Sequence, residues 1–497
     1  MIRKVRITLA TVFFIFTTLL FLDFTGTIRH WMGWMAKIQF MPAILAVNAV
    51  VIVALILLTL ILGRVYCSVI CPLGILQDTI AKIHNIKKKN RYTYSKAISW
   101  LRYTMLIIMI AAFFSGLGSL VALLDPYGSF GRIASNLIQP IYELVNNMLA
   151  AIAQHYDSYA FYNVDVWIKS MPTFIIAVST LVILIVLAWR NGRTYCNTIC
   201  PVGTFLGILS RFSWLKIHIE KDKCVKCGLC TKGCKASCID FKNYKIDYSR
   251  CVVCGNCIDK CHKDAIHYNH NKTEENTERE SNKSGDSIDT GKRMFLLSAA
   301  IATTAATLAQ NKKKVDGGLA VIVNKVAPER QTPLTPPGSI SAENMAKHCT
   351  GCQLCVSECP NEILRPSTDL SHLMQPIMSY ERGYCRIECT RCSHVCPTGA
   401  IKPISRSYKS SLQRGHAVWI KKNCIPVTDH KSCGNCARHC PAGAITMVPV
   451  NPNDEKSIMV PAVNEAICIG CGACENLCPA RPFSAIYVEG HEVHHTI

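Results

Sequence analysis

The sequence predicts an α-helical membrane domain of four helices, with a fifth candidate helix further along, joined to small cysteine-rich α+β modules. Three observations carry this expectation. Four long apolar runs fill the first 190 residues, 29 cysteines gather into groups with gaps of two or three residues, and basic residues concentrate in one segment between the runs. The chain is 50% hydrophobic with a mean hydropathy of +0.21, high for a water-soluble protein.

The apolar runs are Ile7–Phe24, Phe40–Leu62, Leu101–Leu124 and Pro172–Trp189. The second contains AILAVNAVVIVALILLTLIL, which is free of charge and long enough to cross a bilayer. The first follows the basic start MIRKVR with no small-residue cleavage site behind it, so it reads as a retained helix. The net charge of +21 points either to nucleic acid or to a membrane protein with basic cytoplasmic loops. Position decides between them. Gly63–Trp100 carries Arg64, Lys82, Lys87, Lys88, Lys89, Arg91 and Lys96 against Asp78. Asp125–Met171 carries Arg132 and Lys169 against Asp125, Glu143, Asp157 and Asp165. The first loop is therefore expected in the cytoplasm and the second on the exported side, and no nucleic-acid partner is expected.

This gives a four-helix membrane domain over 1–219, a two-motif cysteine domain over 220–268 and a polar, disordered linker over 269–291. A fifth membrane helix or export-signal-like anchor follows over 292–310, then a linker over 311–345 and a four-motif cysteine domain over 346–490. The membrane part is an internal repeat: GRVYCSVICPLG at Gly63–Gly74 matches GRTYCNTICPVG at Gly192–Gly203.

Four cysteines spaced C-x2-C-x2-C-x3-C are the bacterial ferredoxin signature for [4Fe–4S] clusters. Cys224, Cys227, Cys230 and Cys234 fit it, as do Cys251, Cys254, Cys257 and Cys261. So do Cys349, Cys352, Cys355 and Cys359, and Cys468, Cys471, Cys474 and Cys478. A short loop wraps three corners of a cubane and the fourth ligand arrives from the partner motif. Gly228, Gly255, Gly351 and Gly472 let the backbone close on the inorganic sulfide. Two irregular groups, Cys385, Cys389, Cys392, Cys396 and Cys424, Cys433, Cys436, Cys440, keep the middle spacing and the Cys-Pro ending, so they read as cubane sites with a displaced first ligand. Zinc fits these runs poorly. About six clusters are expected, with no haem or flavin site.

By ligand exchange, Cys224, Cys227, Cys230 and Cys261 share one cluster, and Cys251, Cys254, Cys257 and Cys234 another. Cys238 is a spare thiol, either a buried neighbour of the cluster or a substitute for Cys234. In the last domain adjacent motifs can pair. The likeness of the two irregular motifs favours outer with outer and inner with inner: Cys349, Cys352, Cys355 with Cys478; Cys468, Cys471, Cys474 with Cys359; Cys385, Cys389, Cys392 with Cys440; and Cys424, Cys433, Cys436 with Cys396. Cys67, Cys71, Cys196 and Cys200 follow the second and fourth runs and are expected at the cytoplasmic membrane surface. There they either converge for metal or redox work or pack as inert thiols.

Helices followed by YCSVICPLG and YCNTICPVG and then a two-cluster block resemble NapH-type membrane ferredoxins. The stretch from CTGCQLCVSECPNEILRP to CPARPFSAIYV resembles the NapG-type, MauM-like four-cluster ferredoxins, so the chain resembles a fusion of the two. The resemblance implies electron transfer from the quinone pool or another membrane donor to a respiratory reductase or other metalloenzyme. It also implies an inner-membrane location with the first cluster domain cytoplasmic and the last one periplasmic. In that family the soluble partner carries a twin-arginine signal; TGKRMFLLSAA places Lys292, Arg293, Phe295 and Leu296 at the matching positions. No nucleotide loop, GxGxxG fingerprint or HExxH helix is present, so a non-catalytic electron-transfer subunit is expected rather than a stand-alone enzyme. The alternatives are a maturation factor or a redox sensor for a partner metalloenzyme.

Overall fold

The computed structural model describes residues 2–23, 26–87, 92–270, 323–453 and 457–497. The fifth-helix expectation over 292–310, with Lys292, Arg293, Phe295 and Leu296, lies outside the described residues, as do 271–291 of the first linker and 311–322 of the second.

Eight helices organise the first 210 residues: α1 (Ile2–Leu22), α2 (Ala49–Leu62), α3 (Pro72–Lys87), α4 (Ser99–Phe114), α5 (Pro126–Ile133), α6 (Gln139–His155), α7 (Met171–Asn191) and α8 (Pro201–Leu209). Among the described residues, α1 and α7 are the helices long and apolar enough to cross a membrane; 21 residues at 1.5 Å each make about 31 Å. Both leave most of that apolar surface uncovered, with 22% of the window buried. The two middle runs are interrupted, contrary to the expectation of four uniform spans. Asn48 splits the second run, its side chain accepting from Val51 N at 3.3 Å, so α2 has 14 residues. The third run breaks at Ser115–Leu117, so α4 has 16.

Two charges assigned by sequence to an exported loop are buried instead. Asp125 and Arg132 are both 0% exposed. Asp125 caps α5, accepting from Tyr127 N at 3.1 Å and Gly128 N at 2.8 Å. Every residue of α5 is buried. Arg64, counted with the basic loop, is also 0% exposed. Loop charge is thus a poorer guide to orientation here than the sequence suggests, because part of it belongs to the interior.

The two cysteine blocks pack on opposite ends of this bundle. At the C-terminal ends of α2 and α7, Trp214 N donates to Leu60 O at 2.7 Å, and Arg193 N donates to Lys235 O at 2.8 Å. At the start of α1, Arg3 pairs with Asp259 at 3.0 Å. The last block meets the other ends. Arg29, after α1, pairs with Glu358 at 3.3 Å; Asn136, after α5, donates to Gln353 at 2.8 Å; and Trp167, before α7, donates to Glu362 at 2.7 Å.

Each block is small and stitched by two-stranded antiparallel ribbons. Leu215–Ile219 pairs with Ile266–His270 around the first block. Leu412–Trp419 pairs with Ile486–Thr496, and Ile445–Pro449 with Met459–Val463, in the last. Blocks of this size bury little apolar surface of their own, so side chains near the cysteines make up much of their interior.

Candidate metal centres

None of the 29 cysteines is in a disulfide. In the last block the thiols gather as four quartets, each taking three cysteines from one motif and the fourth from its sequence neighbour. Cys396 is the electrostatic neighbour of Cys349, Cys352 and Cys355. Cys359 lines one small cavity with Cys385, Cys389 and Cys392. Cys478 lines another with Cys424, Cys433 and Cys436. Cys440 lines a third with Cys468, Cys471 and Cys474. Adjacent motifs therefore pair, and the outer-with-outer arrangement is overturned. Likeness between motifs reflects a shared local loop, whereas pairing follows chain proximity. The eight-residue gap after Cys424 holds a short helix, Ile425–Thr428, that returns the chain to Cys433.

Backbone amides aim at the exchanging thiols. Ile401 N donates to Cys396 Sγ at 3.4 Å, Ala444 N to Cys440 Sγ at 3.2 Å and Ala485 N to Cys478 Sγ at 3.3 Å. Such donors favour thiolate and anionic sulfide. Convergent thiols lined by amide donors fit an iron–sulfur cubane. One quartet has a stronger partner: buried Arg414 donates to Cys385 Sγ at 3.1 Å. Burial raises the Cys385 thiol, but the Arg414 and Lys409 charges outweigh it and the net shift is downward.

In the first block Cys234, Cys251, Cys254 and Cys257 line one cavity together with Cys238. Cys238 Sγ lies 3.5 Å from Cys234 Sγ and is 1% exposed. The hydrogen bond shared with Cys238 brings the Cys234 thiol down to about 6 against the effect of burial. Cys224 and Cys227 neighbour Cys230, and Cys261 Sγ accepts from Ala265 N at 3.3 Å, like the exchanging thiols above.

The helix-end cysteines do not lie at the surface as the sequence suggests. Cys67, Cys71, Cys196 and Cys200 are 3–4% exposed and form one buried quartet, each within electrostatic reach of others across the repeat. Cys200 caps α8, accepting from Gly203 N at 3.4 Å, and Cys71 accepts from Gly74 N at the start of α3. Two helix N-termini, with their partial positive charge, thus point at the quartet. The two repeat arginines cross over. Arg193 Nη1 donates to Cys67 O at 2.5 Å, and Arg64 Nη2 donates to Cys196 O at 3.3 Å. Glycine is required at the crossing points: a Cβ on Gly74 would lie 2.8 Å from Arg193 Nη1, and one on Gly203 2.9 Å from Arg64 Nη2.

This quartet is tied to both blocks. Toward the first, Arg64 Nη1 donates to Ser249 O at 2.8 Å, two residues before Cys251. Toward the last, α5 intervenes. Arg132 has Asp125, Tyr195 and Cys352 among its electrostatic neighbours, and Tyr195 in turn neighbours Cys196 and Cys200. α5 meets the Cys352 loop so closely that a Cβ on Gly131 would lie 2.3 Å from Cys352 O.

Sequence reasoning missed Arg64, Arg193, Asp125, Arg132 and Arg414 as parts of these sites. For the first two a signal existed, since GR precedes YC in both repeats. The acid–proline pair Asp125–Pro126 in an apolar stretch was a signal for a buried cap.

Comparison with known proteins agrees with the geometry. A family described as a 4Fe-4S binding domain matches residues 44–91 and 172–221, which hold the helix-end cysteines. A 4Fe-4S dicluster domain matches 348–400 and 431–481, dividing the last block into the same adjacent pairs. The methylamine utilization ferredoxin-type protein MauM of Methylobacillus flagellatus is 30% identical over 166 residues, 32% of this chain and 70% of that protein. MauM of Paracoccus denitrificans is 30% identical over 165 residues, 32% of this chain and 73% of its own length. The ferredoxin-type protein NapF of Escherichia coli K12 is 27% identical over 159 residues, 32% and 87% of the two chains. With its clustered thiols, its matched 4Fe-4S domains and these relatives, the chain belongs to the MauM-like ferredoxin-type iron–sulfur electron-transfer proteins.

Proposed function

We propose that this protein is a membrane-spanning electron-transfer subunit. In this reading six [4Fe–4S] clusters sit in two blocks on opposite faces of the membrane, and a further iron–sulfur cluster sits in the buried helix-end quartet between them. It is a fusion of a NapH-like membrane unit with a MauM-like block. It draws on a membrane donor such as quinol and serves a reductase or other metalloenzyme beyond the last block. The carrying observation is that the two blocks bind opposite ends of one helix bundle with a buried cysteine quartet between them.

The exposed apolar faces of α1 and α7 support the membrane reading, because a soluble core helix would be covered. In a bilayer the shorter helices α2 and α4 complete the bundle. Bound clusters supply one-electron transfer. The chain's own residues hold and insulate them: thiolates bind, amides and buried arginines neutralise, and α5 fills the space between the quartet and the Cys352 loop. With α5 there, the trans-bilayer gap in a two-block arrangement is occupied by protein, and Asp125 and Arg132 are held by hydrogen bonds within it.

Anaerobic purification with iron and sulfide counting tests the reading. More than about 24 iron atoms per chain are expected, falling to about 24 in a Cys67→Ser/Cys196→Ser variant. Eight or fewer would overturn it. In sealed vesicles, dye reduced on one side is expected to be oxidised by an acceptor confined to the other. Electron transfer that occurs only with donor and acceptor on one side would defeat the trans-membrane assignment.

A further inference from the structure

Near the buried quartet, toward the first cysteine block, lies a cavity of about 670 Å³. The first turns of α1, the middle of α3 and the segments around Gly233 and Asn256 line it, and it opens to solvent. Its polar wall is cationic, with Arg6, Lys82, Lys232, Lys235 and Lys260 facing it. Asp78 is the carboxylate on this wall, and it is already shared by Arg6 at 3.1 Å, Arg193 at 2.6 Å and Lys235 at 2.5 Å. Arg3, at the rim, is matched by Asp259. One carboxylate among three buried cations leaves a surplus of positive charge on groups mostly removed from solvent, which a counter-anion would balance. Arg6 displays this directly: it is 9% exposed and its Nε has no hydrogen-bond partner. Ile7, Ala10, Ile75 and Leu229 add apolar surface to the lining among these charges.

We propose that this cavity binds a phosphate group, with its apolar lining residues receiving an adjoining hydrocarbon portion of the ligand. Forked guanidinium and multiple ammonium donors around one point match phosphate oxygens. The phosphate belongs either to the headgroup of an acidic phospholipid or to a soluble phosphate compound. Occupation brings a counter-charge to Arg6 and Lys235, which flank the Asp78–Arg193 pair beside Cys67. The site therefore secures the junction between α1, α3 and the first block. This inference does not depend on the quartet holding a cluster.

The test uses the full-length protein in neutral detergent. Phosphatidylglycerol and phosphatidylcholine are offered separately and followed by native mass spectrometry; inorganic phosphate is titrated by calorimetry. The comparison variant is Lys232→Gln/Lys260→Gln, whose positions are exposed, with unchanged iron content as the check that it folds. Retention of one phosphatidylglycerol per chain, weakened about tenfold or more in the variant and by salt, with phosphatidylcholine not retained, supports the proposal and identifies lipid as the source. Saturable phosphate binding that the variant loses, without lipid selectivity, supports it with a soluble source. Binding of neither probe, or binding equal in wild type and variant, overturns it.

Discussion

Arg193 donates to the backbone carbonyl of Cys67, 126 residues away in sequence, at 2.5 Å. Its repeat mate Arg64 returns the contact to Cys196 O. Arg193 also forks onto Asp78 at 2.6 and 2.7 Å. Replacing it by glutamine shortens the side chain and removes both the charge and the fork from this ion pair. With Asp78 still paired to Arg6 and Lys235, the Arg193→Gln variant is expected to lose about 1–3 kcal/mol of stability and, on the proposed cluster assignment, the iron of the helix-end quartet, while the last block keeps its own. Thermal denaturation and iron counting by block, after proteolysis, check both.

Arg414 sets the charge beside one quartet of the last block. Its hydrogen bond to Cys385 favours the more electron-rich state of that site. An Arg414→Ala variant is expected to lower the reduction potential there by about 60 mV, the equivalent of one charge-assisted hydrogen bond for a one-electron couple. EPR-monitored titration should show one signal moving while the others stay. A uniform shift of every signal would argue against a local effect.

Cys234 and Cys238 lie side by side, yet only one of them needs to bind iron. Cys234 holds the ferredoxin spacing and Cys238 lies 3.5 Å from it, so Cys238→Ser is expected to keep full iron content and alter only the EPR line shape or potential. Cys234→Ser is expected to lose about four irons per chain. The reverse outcome would make Cys238 the ligand.

Burial draws His494 down from 6.5 to about 3, with the nearby Arg414 charge acting in the same direction. A histidine lowered on folding is neutral in the native state and binds protons better when unfolded. Stability is therefore complete above pH 6.5 and lost as pH falls toward 3. His494→Gln keeps a partner for Thr335, which lies 3.1 Å from the ring. The variant is expected to resist acid unfolding better than wild type, by at most about 2 kcal/mol at pH 5, with no gain at pH 8. Fluorescence-monitored unfolding at the two pH values measures this.

The cysteine motifs were legible because their chemistry is local: the loop that wraps three corners of a cluster is written in consecutive residues. The fourth ligand is not local, and the sequence pointed to the wrong partners in the last block for that reason. Apolar runs announced helices but not their interruptions, since Asn48 and Ser115 break continuity without breaking hydropathy. The charges of Asp125 and Arg132 looked like loop charges because burial of α5 depends on both ends of the chain closing over it. Cys67 and Cys196 were visible as a repeat. What escaped was the exchange of arginines between halves, which requires knowing that the two halves face each other.

That exchange has a consequence for how the molecule comes into being. Neither half of the duplicated unit holds a complete set of contacts: each borrows its guanidinium from the other. A chain ending before the second copy would need a second molecule to complete the first, as an ancestral pair of identical subunits would have done. In the present protein the four thiols come together only once Cys200 has been synthesised, so the first copy cannot close the site by itself. Truncation between the copies should therefore leave an empty, unstable half rather than a smaller working one.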